Sequence, residues 1–209
     1  SDLKHMENSF KLFFKYILSQ MPYSFVKFKA QKNNIINLFL TNNSLLYIVI
    51  HIKLSTVFYS SQLSDILAYE LPIIGGVGIK NGEYVKPITN LKGINQPSIV
   101  VYNFHSMFYH NRIFLFSQHN HQIFHKNIQN NHYTLNSISE IFPAGNWLER
   151  ENSELHGINF LGKKDLRNLM LQYGDSSTPF NKSFPSIGTN ELVYNPINDT
   201  ISQVPISVQ

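Results

Sequence analysis

The last part of this chain, residues 175–209, is too rich in proline to form a long helix and too apolar to remain in water. Pro179, Pro185, Pro196 and Pro205 lack the backbone N–H that helix hydrogen bonding needs. The large apolar side chains among them are Phe180, Phe184, Ile187, Leu192, Val193, Tyr194, Ile197, Val204 and Ile206. An irregular run of this length is uncommon inside a compact domain. The pattern predicts an extended arm lying on another surface, with packing on its own domain as the alternative.

A short helix with defined ends is predicted before this arm, at residues 147–156. Asn146 is a residue type that caps helix N-termini, and Glu149 stands three residues later, as in a capping box. Gly157 suits the position beyond the last turn, which favours the left-handed conformation.

A second helix is predicted at residues 163–173, where apolar side chains recur at helical spacing. The stripe consists of Leu166, Leu169, Met170 and Tyr173. Gly174 ends this helix. Residues 146–174 are therefore interpreted as two short helices that pack on the preceding domain.

Three acidic side chains on the first helix, Glu149, Glu151 and Glu154, raise the question of acid–base catalysis. That chemistry needs two carboxylates facing one cleft, whereas Glu149 and Glu151 point to different sides of a helix. Capping accounts for Glu149, and Glu154 stands four residues after Arg150, at the spacing of a structural ion pair. The sequence predicts no catalytic residue.

The apolar pattern of residues 1–145 predicts a two-layer α+β domain, with a mixed sheet covered by helices. Its predicted elements are a helix at 7–19, strands at 23–29, 35–41, 98–104 and 111–118 (the last two as a hairpin), a helix or apolar segment at 44–53, a glycine-rich loop at 71–97 and a polar loop at 119–134.

The composition is that of a domain whose surface is poor in charge. Of the 209 residues, 43% are hydrophobic, which is enough for a sizeable core, and 14% are charged. An average soluble domain has about 25% charged residues. This deficit favours a subunit that hides much of its surface in an assembly.

Charge, cysteine content and hydropathy exclude several classes of protein. The net charge of +4 comes from scattered lysines and arginines, so no nucleic-acid partner is predicted. With no cysteine, the chain forms no disulfide and supplies no cysteine ligand to an iron–sulfur cluster. The longest apolar run, at 45–50, is far shorter than the roughly 20 residues of a membrane span. The heavy use of Asn, Ile, Phe, Lys and Tyr suggests an AT-rich, organellar gene.

Three histidines, His119, His121 and His125, are the sharpest candidate for a metal site, with His110 and His132 nearby. Neutral imidazoles can ligate zinc. No Asp, Glu or Cys within the cluster completes or orients such a site. A solvated loop is the preferred interpretation, and no metal site is predicted.

Three segments together resemble one family: NWLERENSELHG (146–157), KDLRNLMLQYG (164–174) and PFNKSFPSIG (179–188). They are similar to the thirty-kilodalton subunit of respiratory complex I, NADH:ubiquinone oxidoreductase, which is the C subunit of the bacterial enzyme and subunit 9 in organelles. QLSDILAYE (62–70) resembles a turn of the same family. Lys163 and Lys164 depart from the family pattern, which has His-Pro there.

The resemblance implies that residues of this signature region lie at contacts between subunits. These residues are Trp147, Glu149, Arg150, Glu151, Glu154, Asp165, Arg167, Tyr173, Phe180, Lys182, Phe184 and Pro185.

The resemblance further implies a core structural subunit of the peripheral, quinone-module arm of the mitochondrial enzyme. Such a subunit scaffolds the redox subunits during electron transfer from NADH to ubiquinone and has no cofactor of its own. FMN and iron–sulfur clusters are expected in partner subunits, and the forty-nine-kilodalton subunit is the expected neighbour. The implied location is the matrix side of the inner membrane, with the gene in the organelle. The alternatives are the equivalent subunit of a plastid-type dehydrogenase or membrane-bound hydrogenase, and a stand-alone histidine-ligated metal enzyme.

Overall fold

The computed structural model describes residues 19, 25–31, 35–55, 61–70, 78–80, 83–85, 97–107, 111–120 and 135–207. Within these ranges the helices are α1 (Leu45–Leu54), which follows a 3-10 turn at Asn42–Ser44, and α2 (Gly145–His156). The strands are β1 (Phe25–Gln31), β2 (Ile35–Leu40), β3 (Ser61–Glu70), β4 (Gly78–Lys80), β5 (Glu83–Val85), β6 (Pro97–Ser106), β7 (Asn111–Asn120), β8 (Leu135–Asn136), β9 (Phe160–Leu161), β10 (Asn190–Asn195) and β11 (Thr200–Pro205).

A five-stranded sheet in the order β1-β2-β7-β6-β3 organises the domain. Strands β2 and β7 are parallel, with Leu38 opposite Leu115. The other three pairings are antiparallel, including the hairpin of β6 and β7, in which Tyr102 lies opposite Leu115. The sheet is therefore mixed, as predicted.

One face of this sheet is buried under helices. Alternate residues of β2 and β7 point into the core, as the pleat of a strand requires. Helix α1 places one apolar stripe against them, at the spacing of one helix face. The stripe consists of Leu45, Ile48, Val49 and Ile52. Helix and sheet side chains form a single apolar cluster, so the two-layer α+β architecture is confirmed.

Most of the predicted elements are confirmed within a few residues. The strands expected at 23–29, 35–41, 98–104 and 111–118 correspond to β1, β2, β6 and β7, and the helix expected at 44–53 corresponds to α1. The helix expected at 7–19 lies outside the described residues except for Ser19, and so do most of the loops expected at 71–97 and 119–134.

The interpretation of residues 62–70 as a turn is wrong, because they belong to strand β3. The pairing of β3 with β6 shifts between Leu63 and Asp65, which marks a bulge. Leu63 and Ile66 are consequently both buried although they are three residues apart. The extra residue breaks the period of two by which a strand is recognised.

The prediction of a second helix at 163–173 is also wrong, because these residues follow an irregular path. The backbone N–H groups of Leu169, Met170 and Leu171 donate to the carboxylate of Glu154 rather than to carbonyls of a preceding helical turn. A side chain distant in sequence thus overrides a helical apolar pattern.

The segment after Gly174 contains no helix through residue 207, as its prolines require. It makes a series of turns and then forms the hairpin of β10 and β11, which the sequence did not predict. Whether this segment docks on another surface stays a prediction. Within the described part of the chain, no helix has the length and apolar content needed to cross a membrane.

We expect the α1 core contact to dominate the stability of the domain. Ile52→Ala removes a fully buried side chain and should lower the free energy of unfolding by about 2–5 kcal/mol. Leu54→Ala, two residues away on the same helix, alters a side chain that is 76% exposed and should cost less than about 0.5 kcal/mol. Urea unfolding followed by circular dichroism measures both. Equal costs would contradict the described orientation of α1.

Candidate subunit-docking site

Helix α2 carries the first signature segment, and it begins earlier than predicted. Gly145 is its first residue and Ala144 occupies the N-cap position, with no side-chain hydrogen bond at the cap. The capping box of Asn146 and Glu149 is therefore wrong. The predicted stop is confirmed, since Gly157 follows the helix with a φ of 70° and donates its N–H to the Ser153 carbonyl.

Glu149 is buried in the interior, where it forms an ion pair with Lys163. Its carboxylate accepts hydrogen bonds from Lys163 Nζ at 3.1 Å, from Ile138 N at 2.7 Å and from Ser137 Oγ at 2.6 Å. Lys163 also donates to the Asn146 carbonyl at 2.9 Å. A buried ion pair is tolerated when further hydrogen bonds satisfy its charges. This pair ties the loop before α2, the helix itself and the chain after β9 into one unit.

Arg150 pairs with the irregular segment rather than with Glu154, so the predicted ion pair is wrong. Its Nε donates to the Arg167 carbonyl at 2.9 Å, a second nitrogen donates to the Asn168 carbonyl at 3.3 Å, and a third lies 3.5 Å from Asp165. Asp165 also accepts two hydrogen bonds from the Arg167 side chain. These bonds from Arg167, with its backbone N–H, hold the pKa of Asp165 far below its usual range.

Glu154 organises the segment at residues 169–171. Its carboxylate accepts the backbone N–H groups of Leu169 and Met170, each at 2.9 Å, and that of Leu171. Burial alone raises the pKa of Glu154, but these three bonds and the nearby Arg150 charge outweigh it, so the pKa is lowered. The carboxylate accepts the hydrogen bonds that the backbone carbonyls of a preceding helical turn would otherwise accept.

The remaining face of α2 holds strand β3 and the start of the C-terminal segment. Asn152 Nδ2 donates to the Ile66 carbonyl at 2.8 Å. Phe180 N donates to the Leu155 carbonyl at 3.1 Å, and its ring meets the His156 ring edge-on at 5.4 Å between centroids. Helix α2 is thus the common support of the loop before it, the sheet edge and the C-terminal segment.

The predicted contact residues divide into two groups. Glu149, Arg150, Glu154, Asp165 and Arg167 face one another or the backbone that they hold. Most of the others stand at the surface, where Trp147 is 61% exposed and Tyr173 is 76% exposed. Phe180, Lys182 and Pro185 are also exposed, whereas Glu151 and Phe184 are half-buried.

Sequence reasoning missed Lys163 and Asn152 as anchors. Lys163 was noted only as a departure from the family pattern, and no local pattern links it to Glu149, which lies 14 residues earlier. Nothing in the sequence pattern indicates the role of Asn152.

Exposed apolar side chains concentrate on the irregular segment and on the β10–β11 hairpin. We call this set the C-terminal apolar surface: Trp147, Leu166, Met170, Tyr173, Phe180, Ile187, Leu192, Tyr194, Ile197 and Ile201. Monomeric proteins rarely expose large contiguous apolar patches, and such patches mark interaction sites. The arrangement suits protein docking, with polar anchors beneath and apolar groups outside.

The histidine cluster cannot be placed, because His110, His121, His125 and His132 lie outside the described residues. Among the residues that are described, no group of three or more His, Asp or Glu side chains is arranged to hold a metal ion.

Lys163→Met should lower the free energy of unfolding by about 3–5 kcal/mol, because it leaves the buried Glu149 carboxylate without its counter-charge. The double variant with Glu149→Gln should cost less than the two single changes added together. Lys164→Met is the control, since its pair with Glu140 is exposed and solvent screens the two charges. Urea titrations provide the double-mutant cycle, and strictly additive costs would exclude the pair.

Acid should weaken the segment that Glu154 and Asp165 hold. Both carboxyls have a pKa lower in the folded chain than in the unfolded one, so their contribution is present above the unfolded values and is lost as the pH falls through the folded ones. We expect the free energy of unfolding to decrease below about pH 4.5. Glu154→Gln should show a shallower decrease, whereas Glu191→Gln on the exposed hairpin should follow the unsubstituted chain. Fluorescence of Trp147, the one tryptophan, reports the transition.

Two curated relatives match part of this chain. NADH-ubiquinone oxidoreductase subunit 9 of Paramecium primaurelia is 48% identical over 68 residues, which are 32% of each chain. The C subunit of NADH-quinone oxidoreductase from Thiobacillus denitrificans is 40% identical over 73 residues, which are 35% of this chain and 36% of the relative. The chain therefore matches about a third of the length of these relatives.

A solved structure shares the fold. It belongs to the membrane-bound sulfane sulfur reductase, an archaeal respiratory membrane complex, and aligns with a TM-score of 0.56 at 14% identity. The alignment covers 86% of this chain and 87% of the archaeal one. The α+β architecture thus recurs at low sequence identity.

The family model that matches is described as the 30 Kd subunit of respiratory-chain NADH dehydrogenase. The match runs over residues 44–190, which is more than half of the chain and includes α1, the sheet strands after it, α2 and the irregular segment. The chain belongs to the family of the 30-kDa subunit of respiratory-chain NADH dehydrogenase.

Proposed function

We propose that this protein is a core structural subunit of the peripheral, quinone-module arm of mitochondrial NADH:ubiquinone oxidoreductase. It scaffolds the redox subunits during electron transfer from NADH to ubiquinone and makes or breaks no bond on its own side chains. Its family membership supports the proposal that it is a subunit of this enzyme complex. The likeness to subunit 9 of Paramecium primaurelia supports an organellar setting.

The β10–β11 hairpin is the single observation that carries this proposal. Its apolar side chains stay in solvent, with Leu192 74% exposed and Ile197 89% exposed. The hydrogen bonds of the hairpin are internal, such as that from Tyr194 Oη to Asp199, or go to Thr189 next to it. A lone two-stranded hairpin is marginally stable in water. A partner surface that covers these side chains supplies the missing burial.

The chemistry of α2 supports a structural role in the same way. Of the three carboxylates on α2, two are occupied, since Glu149 binds Lys163 and Glu154 binds backbone N–H groups, which leaves no free pair for an acid–base mechanism. Their bonds hold chain segments in place and leave the apolar side chains on the outside. The signature is therefore explained by folding and docking without a substrate.

The partners follow from the proposal. The forty-nine-kilodalton subunit and other subunits of the peripheral arm are the neighbours that receive the C-terminal apolar surface. FMN and iron–sulfur clusters belong to those partners, and electrons pass beside this chain. The protein lies on the matrix side of the inner membrane as a peripheral component, and its gene is in the organelle. The equivalent subunit of a plastid-type dehydrogenase or membrane-bound hydrogenase is the alternative, and the identity of co-purifying subunits separates these assemblies.

Removing the hairpin should stop assembly without unfolding the domain. We expect a chain that ends at Gly188, or the substitutions Leu192→Ser, Ile197→Ser and Ile201→Ser together, to be absent from the intact complex. Native electrophoresis of detergent-solubilised membranes, with detection of this chain, measures its incorporation. The isolated variants should unfold in urea within about 0.5 kcal/mol of the unsubstituted chain, since exposed positions carry little stability.

Tyr47→Ser and Leu54→Ser on α1 are the matched controls, because they also remove exposed apolar side chains. They should leave incorporation unchanged. Normal incorporation of the hairpin-deleted chain would remove the basis of the proposal.

A further inference from the structure

Strand β3 lies at one edge of the sheet, with β6 as its neighbour on one side. Antiparallel pairing makes successive residues point their backbone N–H and C=O groups alternately towards the neighbour and away from it. The outward edge is open to pairing wherever nothing covers it, and proteins usually protect such edges.

The outward edge of β3 is blocked at Ile66 and open beyond it. Ile66 N donates to Asp65 Oδ1 at 2.8 Å, and the Ile66 carbonyl accepts from Asn152 Nδ2 at 2.8 Å, so both groups point away from β6. By alternation, the backbone groups of Ala68 and Glu70 point the same way. No other described residue forms a hydrogen bond with the backbone of Ala68 or Glu70.

A groove of 520 Å³ runs along this open stretch of the strand. Its other wall consists of α2 and the start of the C-terminal segment, with Leu155, Phe180 and Lys182 among the lining residues. Leu155 is buried and Phe180 is exposed, so the groove has an apolar floor and an apolar rim.

Three carboxylates line the groove, and two of them are engaged within the chain: Asp65 accepts Ile66 N at 2.8 Å and Glu70 accepts Lys182 N at 2.6 Å. The third belongs to Glu151. Glu151 lines the groove from α2 and is half-buried, and no described residue offers its carboxylate a hydrogen bond or an ion pair. It differs in this from Glu149, Arg150, Asn152 and Glu154, whose polar groups all hold other parts of the chain. A half-buried carboxylate of this kind is stabilised by a cationic side chain.

We propose that this groove binds an extended segment of a neighbouring subunit, which pairs as an additional strand with Ala68 and Glu70 and sets a Lys or Arg side chain against Glu151. Main-chain hydrogen bonds give such strand addition its affinity, and alternate side chains give it specificity. The alternate side chains of the added strand extend the apolar row that begins with Leu67 and Tyr69, which are 53% and 43% exposed. The inference rests on the proposed function, because it requires a multi-subunit assembly.

Residue-resolved hydrogen exchange on the purified intact assembly tests the added strand. The outward amides of Ala68 and Glu70 should exchange as slowly as the inward amides of Leu67 and Tyr69. Unpaired edge amides would exchange at least about a hundredfold faster than paired ones. Fast exchange of Ala68 and Glu70 beside slow exchange of Leu67 and Tyr69 overturns the inference, and it leaves the proposed function intact.

Zero-length carbodiimide coupling in the same preparation tests the charge contact. Glu151 should couple to a lysine of another subunit, and Glu151→Gln should abolish that product. Where the neighbouring side chain is an arginine, which does not couple, Glu151 should resist coupling in the assembled state and not in the free chain. Glu140→Gln, which alters an exposed acid paired with Lys164, should leave the product unchanged. Coupling of Glu151 to a lysine of this same chain overturns the inference. Purification of the chain without any other subunit overturns the proposed function together with it.

Discussion

The buried contact between Glu149 and Lys163 is the interaction on which the C-terminal half of the structure depends. It joins a loop, a helix and the chain after a short strand, none of which is held by a long ladder of backbone hydrogen bonds. Burying a charge costs free energy, and that cost is tolerated when two opposite charges are buried together as an ion pair. The pair therefore fixes the position of α2, and α2 in turn supports Arg150, Glu154 and the segment that they hold.

This arrangement explains why the signature is so polar although large apolar side chains beside it stay exposed. Apolar side chains can stay outside only if something else defines the path of the chain that carries them. Here the path of the backbone is fixed by the Glu154 carboxylate and the Arg150 guanidinium, which form hydrogen bonds with backbone groups. The irregular segment is thereby ordered while its large apolar side chains, Leu166, Met170 and Tyr173, stay exposed.

The sheet, α1 and the existence of α2 could be predicted, because each depends on local periodicity and on stop signals such as Gly157. The bulge in β3 and the path of residues 163–173 could not. In the first, one inserted residue removes the alternation between Leu63 and Ile66. In the second, Glu154 captures N–H groups fifteen or more residues away, and no local pattern encodes that contact. Family resemblance pointed to the signature residues but did not tell which face inward, since Trp147 and Glu149 have opposite orientations.

The parallel pairing of β2 with β7 has a consequence for how the chain is made. Residues 35–40 meet residues 112–117 in the sheet, so β2 leaves the ribosome long before its central partner exists. Until then, β2 has only the local hairpin with β1 to occupy one edge. Long-range pairing of this kind slows folding and leaves apolar strands exposed to aggregation. A nascent chain of this design therefore benefits from protection until the β6–β7 hairpin emerges and completes the sheet.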